Sequence, residues 1–209
     1  GNNSRNITGL GFKPDMVWIK SRSNTDPHVL QDITRTNGVL YPDQNSMEGN
    51  TGGGWISSFN SNGITINSNG PINTNSQTYV AWNWKAGGSP SSNTNGSITS
   101  SVSANTTAGF SILTYTGTGS QTTVGHGLGV KPKVIITKLR DTTTQDWMFY
   151  PKQLTGNGAT YLKFNDNIAV ASDAHTYPNV EPTSTVYTVG GDDGGNGTNG
   201  NGSKYVAYV

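Results

Sequence analysis

Cysteine is missing from all 209 residues, which leaves neither a disulfide framework nor a thiolate metal site available. Charge is scarce as well. The 13 Lys and Arg stand against 12 Asp and Glu, and a net charge of +1 offers no electrostatic case for nucleic acid or an anionic membrane as partner. No apolar run approaches the ~20 residues a helix needs to span a bilayer, and nothing has the build of a signal peptide. Solubility therefore rests on uncharged polar residues. The 28 glycines, together with abundant Asn, Ser and Thr, favour turns and strand edges, because these residues accept positive φ or bond their own backbone. Long helices are disfavoured and an all-β chain is predicted, either one large domain or two small ones near the lower limit for a self-sufficient core.

An internal repeat organises the chain. Gly9-Leu10-Gly11-Phe12-Lys13-Pro14, its apolar run and Lys20-Ser21-Arg22 align without a gap on Gly127-Leu128-Gly129-Val130-Lys131-Pro132, the next apolar run and Lys138-Leu139-Arg140, an offset of 127 − 9 = 118. Phe59-Asn60-Ser61-Asn62 before Ile64 and Ile66 echoes Phe164-Asn165-Asp166-Asn167 before Ile168 and Val170. Tyr79-Val80-Ala81-Trp82 matches Tyr205-Val206-Ala207-Tyr208, the offset having grown to 205 − 79 = 126, so the second copy carries insertions.

These segments read as strands. Residues 16–19 and 134–136 are short apolar runs entered through Gly and Pro, the pattern of a strand buried on both faces. Residues 110–115 alternate ahead of the second Gly-Leu-Gly and form another strand, as do 185–189. The first copy has only residues 1–8 where 110–115 stand in the second, so its opening strand is expected upstream of residue 1 or from elsewhere in an assembly. The predicted architecture is two tandem β-sandwich-like modules, 1–86 and 109–209. A Ser/Asn/Gly/Thr-rich linker at 87–108 joins them, interrupted by a weak strand at 97–102. The Gly/Asn-rich stretch 190–202 is expected to be a long exposed loop.

The first copy carries the Gly-Leu-Gly-Phe-Lys-Pro entry, then His28, Leu30, Asp32 and Arg35, then the 58–66 segment, and closes on Tyr79-Val80-Ala81-Trp82-Asn83-Trp84-Lys85-Ala86-Gly87-Gly88. The second opens on Gly109-Phe110-Ser111-Ile112-Leu113-Thr114-Tyr115 and the Val124 to Lys138 counterpart of that entry. Together these resemble a family of uncharacterised repeat domains in structural proteins of tailed phages, especially those of marine bacteria. The resemblance covers most of 7–88 and 109–140. It implies a virion component on the particle exterior, tail or capsid, with other virion proteins as partners and a homo-oligomer, a trimer if a fibre. It implies no catalytic residue. After Arg140 the second copy departs from the pattern and lacks the His-x-Leu-x-Asp-x-x-Arg arrangement.

Candidate sites are few. His28 with Asp32 could move protons, yet no nucleophile motif accompanies them, and a structural ion pair is the better reading for Asp32 and Arg35. Asp192 and Asp193 are weak candidates for oxygen ligands to Ca²⁺, in a spacing that matches neither an EF-hand nor a Gly-rich nonapeptide repeat, so a solvated loop is the better reading. His126 between two glycines suits a turn. Trp18 and Trp82 are expected in the core, whereas Trp55 and Trp147 are the candidates for an exposed, sugar-stacking platform. No cofactor is indicated. The sequence thus points to a non-catalytic virion surface protein serving assembly and host-surface recognition. A carbohydrate-binding module for a host glycan is the alternative, and a polysaccharide depolymerase, which would need paired carboxylates, ranks last.

Overall fold

The computed structural model describes residues 3–35, 37–50, 54–68, 70–141, 144–151, 160–191 and 197–209. The first half contributes β1 (Arg5–Thr8), β2 (Met16–Ser21), β3 (Val29–Asp32), β4 (Gly38–Val39), β5 (Gly49–Asn50), β6 (Ile56–Asn60), β7 (Gly63–Ile66) and β8 (Tyr79–Trp84). The second contributes β9 (Ser91–Asn93), β10 (Ser100–Asn105), β11 (Phe110–Thr116), β12 (Thr122–Gly125) and β13 (Val134–Leu139), and then β14 (Met148–Pro151), β15 (Thr160–Lys163), β16 (Ala171–Ser172), β17 (Val186–Val189) and β18 (Lys204–Tyr208). The protein is all-β. An eight-stranded sheet runs β16-β15-β14-β13-β18-β11-β10-β9, and the first half builds the smaller sheets β3-β2-β8 and β1-β7-β6.

The repeat is visible in the hydrogen-bond register. β2 and β8 pair antiparallel with Trp18 opposite Trp82, and β13 and β18 pair antiparallel with Ile136 opposite Tyr208, which are the same positions at offsets of 118 and 126. Arg22 N donates to Thr78 O at 2.8 Å, and its counterpart Arg140 N donates to Lys204 O at 2.9 Å. The turn glycines recur too: Gly9 and Gly127 have φ of 101° and 73°, and Gly11 and Gly129 of 74° and 75°. A side chain would be strained at all four positions. β1 on β7 is matched by β12 on β17. The counterpart of Ile64 and Ile66 is therefore the 186–188 segment. Ile168 and Val170 instead lie outside any strand and are exposed, because the turn after β15 carries the Phe-Asn echo away from the sheet.

Each copy has its own core. Val17, Ile19, Ile56, Ile64 and Ile66 fill the first, and Leu113, Tyr115, Ile135, Tyr187, Tyr205 and Ala207 belong to the second. A third buried cluster belongs to neither copy alone, since it combines Met16, Leu30, Leu40 and Ala86 with Ile112, Trp147, Val206 and Tyr208. Strand alternation explains this arrangement: Val17 and Ile19 face the first copy's own core, while Met16 and Trp18 face the other copy.

Two expectations are corrected here. The 87–108 segment is not a simple linker, because β9 and β10 extend the large sheet beside β11 and bury Ile98 and Val102 in the second core. Its serines fit inside because they are bonded: Ser100 Oγ donates to Gly125 O and Ser103 Oγ to Gly88 O. Nor is 190–202 an exposed loop throughout. Asp192 and Asp193 lie outside the described residues, but Thr198 and Asn199 are fully buried. Thr198 O accepts from Tyr115 Oη at 2.6 Å, Asn199 Nδ2 donates to Thr118 Oγ1 at 3.0 Å, and Gly200 N donates to Tyr205 Oη at 2.8 Å. Polar contacts, not apolar ones, order this end of the loop. Replacing Asn199 by Ala leaves Thr118 N and Ser120 O without the partner they now have. It is expected to lower the unfolding free energy by about 1–3 kcal/mol, read by urea denaturation; an unchanged midpoint would mean that water takes over both bonds.

Candidate functional site

The junction between the copies is where the chemistry-bearing side chains collect. Asp32 ends β3 and is fully enclosed. Its Oδ2 accepts from Arg35 Nε at 2.9 Å and Nη2 at 2.7 Å and from Tyr208 Oη at 2.7 Å. Its Oδ1 accepts from Thr34 N and Oγ1. Burial raises the carboxyl's pKa, but the Arg35 guanidinium, Thr34 and the Tyr208 hydroxyl overcome that and hold Asp32 below the ordinary carboxylate range. Arg35 Nη1 lies 3.5 Å from Glu48 Oε1, and Glu48 in turn pairs with Arg140. The chain of charges thus starts in the first copy and ends in the second. Asp32 and Arg35 act as an ion pair, while His28 stands apart: its Nδ1 accepts from Trp18 Nε1 at 2.9 Å, and its N donates to Asp43.

The 41–48 loop of the first copy is held by the same face of the second. Trp147 Nε1 donates to Tyr41 O and Gln44 O, both at 3.1 Å, and Glu48 N donates to Arg140 O at 2.8 Å. Lys138, fully buried, donates to Asn45 O at 3.1 Å and Gln145 O at 2.6 Å. Its repeat counterpart Lys20 makes the same kind of bonds, to Asn24 O and Asp26 O, within its own copy. Desolvation pushes the Lys138 ammonium down to about 8, against a smaller opposing pull from Asp146.

Beside this clamp lies an apolar cleft of ≈ 270 Å³, walled by Trp18 and Trp84 from β2 and β8, Phe110 and Ile136 from β11 and β13, and Phe164 and Trp147. Trp18 packs edge-on to Trp82 at 5.8 Å and to Phe164 at 5.5 Å between ring centroids. Trp82 is 44% exposed and Phe164 37%, so the cleft opens onto an aromatic ledge. Such a surface offers stacking and dispersion to a flat apolar face and little charge.

The ledge is not made of the tryptophans picked from the sequence. Trp147 is buried at 1% exposure, stacked on Tyr208 and tied to two carbonyls, because its loop carries it into the junction. Trp55 is half-buried on the first core, with Gly70 beneath its ring. Trp82, expected in the core, is exposed: among the described residues no strand flanks β8 on its outer side, whereas Tyr208 in the same repeat position has β11 beside it. His126 is a turn residue, its Nδ1 accepting from Leu128 N at 3.2 Å. Among the described residues, no three His, Asp or Glu side chains converge in a way that could hold a metal ion.

Fold and site together define an all-β protein with a buried charge clamp and an aromatic cleft where its first and second halves meet. The chain belongs to the family described as "Domain of unknown function (DUF7483)", whose model matches residues 1–209 and so spans both copies. No curated protein and no solved structure matches it.

Two tests address the clamp. Asp32→Ala leaves Arg35 buried without its carboxylate and is expected to cost about 3–5 kcal/mol. With Tyr208→Phe it should show a coupling energy of about 0.5–3 kcal/mol in a double-mutant cycle read by chemical denaturation, and additive effects would mean that the two groups act independently.

The second test uses pH. Between about 8 and 10.5 Lys138 is neutral when folded and still protonated when unfolded, so the unfolded state binds more protons and stability rises with pH. Above 10 the buried tyrosines Tyr115, Tyr187 and Tyr208, raised by desolvation, reverse the trend, because they ionise only on unfolding. Unfolding free energies at pH 7, 8, 9 and 9.5 should therefore climb in the wild type and stay flatter in Lys138→Met. Parallel slopes would place the titration elsewhere.

Proposed function

We propose that this chain is a non-catalytic recognition and assembly segment on the exterior of a phage particle. The observation that carries the reading is a division of labour among side chains. The buried ionisable groups at the junction, Asp32, Arg35 and Lys138, are committed to holding the copies together, while the exposed chemistry is the ledge of Trp82 and Phe164 over Trp18. The repeated Gly-Leu-Gly-x-Lys-Pro entries and the Tyr-Val-Ala closures, which resemble virion repeat domains, support that location. The rigid junction suits a part that must keep its shape while bound to neighbouring virion proteins, in a homo-oligomer. Immunogold labelling of intact particles with an antibody to the chain tests the location, with label on the tail or capsid exterior expected.

The ledge favours a glycan of the host surface as ligand, since stacked aromatic faces match the apolar face of a sugar ring. On an array of bacterial surface polysaccharides the purified chain should be retained, and Trp82→Ala should lose that retention. Because Trp82 is already partly in solvent, the same variant should melt within a few degrees of wild type, in line with a loss of about 1 kcal/mol or less. Retention that survives the substitution would remove the ledge from recognition, and release of saccharide fragments would overturn the non-catalytic reading.

A further inference from the structure

His28 takes no part in the charge clamp, and its surroundings give it another role. Its ring continues the aromatic row across β8, β2 and the start of β3. Trp82 and Trp18 lie 5.8 Å apart between ring centroids, and Trp18 and His28 lie 5.7 Å apart. Trp18 is thus the middle ring, and Phe164 of the second half packs on it as well. The contacts to Trp82 and Phe164 are edge-on packing without a hydrogen bond. An indole has a single donor, and Trp18 spends it on His28: its Nε1 donates to Nδ1 at 2.9 Å.

That bond dictates a protonation state. A ring nitrogen accepts only while it carries no proton, so the imidazole is neutral and its proton sits on Nε2. A second proton turns Nδ1 into a donor facing the indole N–H, and one of the two rings has to turn away. The His28 backbone is anchored, since its N donates to Asp43 Oδ1 at 3.0 Å and β3 begins at the next residue. The ring is half-buried, so solvent protons reach it. Burial disfavours the imidazolium most, Asp43 opposes that, and Lys20 of β2 adds to it, so the proton is taken up below the ordinary value of 6.5. Asp26, on the same loop as His28, accepts from Asn24 Nδ2 and holds Lys20 Nζ through its carbonyl. On the side of Phe164, Lys163 is matched by Asp146 and Asp166. Ile136, the counterpart of Trp18, has no side-chain donor, so the device belongs to the first copy alone.

We propose that the Trp18–His28 bond is a pH-sensitive pin of the aromatic ledge. Neutral His28 holds the Trp18 indole against Trp82 and Phe164, and protonation of His28 releases it, so that the ledge grips its ligand near neutrality and loosens in acid. The consequence for the ligand rests on the glycan reading of the ledge; the pin itself does not.

The pin is read first without any ligand, by NMR of the isotope-labelled whole chain. The Trp18 indole N–H resonance, assigned from its loss in Trp18→Phe, should shift as pH falls from about 8 to about 5, in step with the His28 ring and with a midpoint below 6.5. In His28→Asn, whose Oδ1 replaces Nδ1 as a non-titrating acceptor, the resonance should hold its position. In Trp18→Phe, which keeps a ring without the donor, His28 should titrate at a higher pH than in the wild type, a reading that serves even if His28→Asn does not fold. Retention on the polysaccharide array should fall roughly threefold to tenfold over the same range in the wild type, the effect of losing one hydrogen bond, and should persist in His28→Asn. An indole signal indifferent to the His28 titration, or one that moves equally in His28→Asn, overturns the pin, as does retention lost in acid to the same extent in both proteins. A signal that moves as expected while no polysaccharide is retained at any pH upholds the pin and overturns the glycan reading alone.

Discussion

The Asp32 carboxylate is the point on which the arrangement of the two copies turns. It lies at the end of a strand of the first repeat and receives Arg35 from the same repeat and Tyr208 from the last strand of the second. A buried ion pair of this kind yields little net stability over a well-packed apolar contact, since desolvation consumes most of the Coulombic gain. What it imposes is geometry. Any rotation of one repeat against the other would strand a charge in a medium that cannot solvate it, and the same holds for Lys138 between Asn45 O and Gln145 O. An apolar junction alone would tolerate sliding.

The same constraint explains how one motif serves two ends. His28, Leu30, Asp32 and Arg35 occur in the first copy only; of these, Asp32 and Arg35 bond Tyr208 of the second copy, whose Arg140 and Trp147 bond the 41–48 loop. The copies have diverged into complementary parts. Lys20 and Lys138 show it at a single position: both donate to backbone carbonyls, but the first braces its own loop and the second captures its neighbour's. The aromatic cleft follows from this docking, because its two walls are equivalent faces of β2 and β13 brought opposite each other.

The second core also shows how a chain poor in large aliphatic residues fills its interior. Tyr115, Tyr177, Tyr187 and Tyr205 belong to this core, whereas isoleucines and valines make up the buried core of the first copy. Their hydroxyls make structure possible where apolar contact would not. Tyr115 and Tyr205 reach the 197–200 segment, and Tyr177 Oη donates to Thr137 Oγ1 at 2.8 Å. Glycine- and asparagine-rich sequence can thus lie buried, provided a phenol meets its backbone.

By itself the sequence determined the all-β class, the repeat and most of its strands. Each of these depends on neighbours along the chain: alternation, Gly-x-Gly turns at positive φ, and proline at a strand entrance. The offset of 118 placed β13 on β2 residue for residue. The Asp32–Arg35 ion pair could be anticipated from its composition, though not its third partner. Only the tertiary structure decided which tryptophans see solvent, since Trp147 follows a polar stretch and is buried while Trp82 sits in a largely apolar strand and is exposed, the two differing in what docks against them. It likewise turned the 87–108 segment into strands and buried Thr198 and Asn199. For Trp147 and Asn199 the deciding contact lies tens of residues away, and local composition carries no record of a partner at that distance.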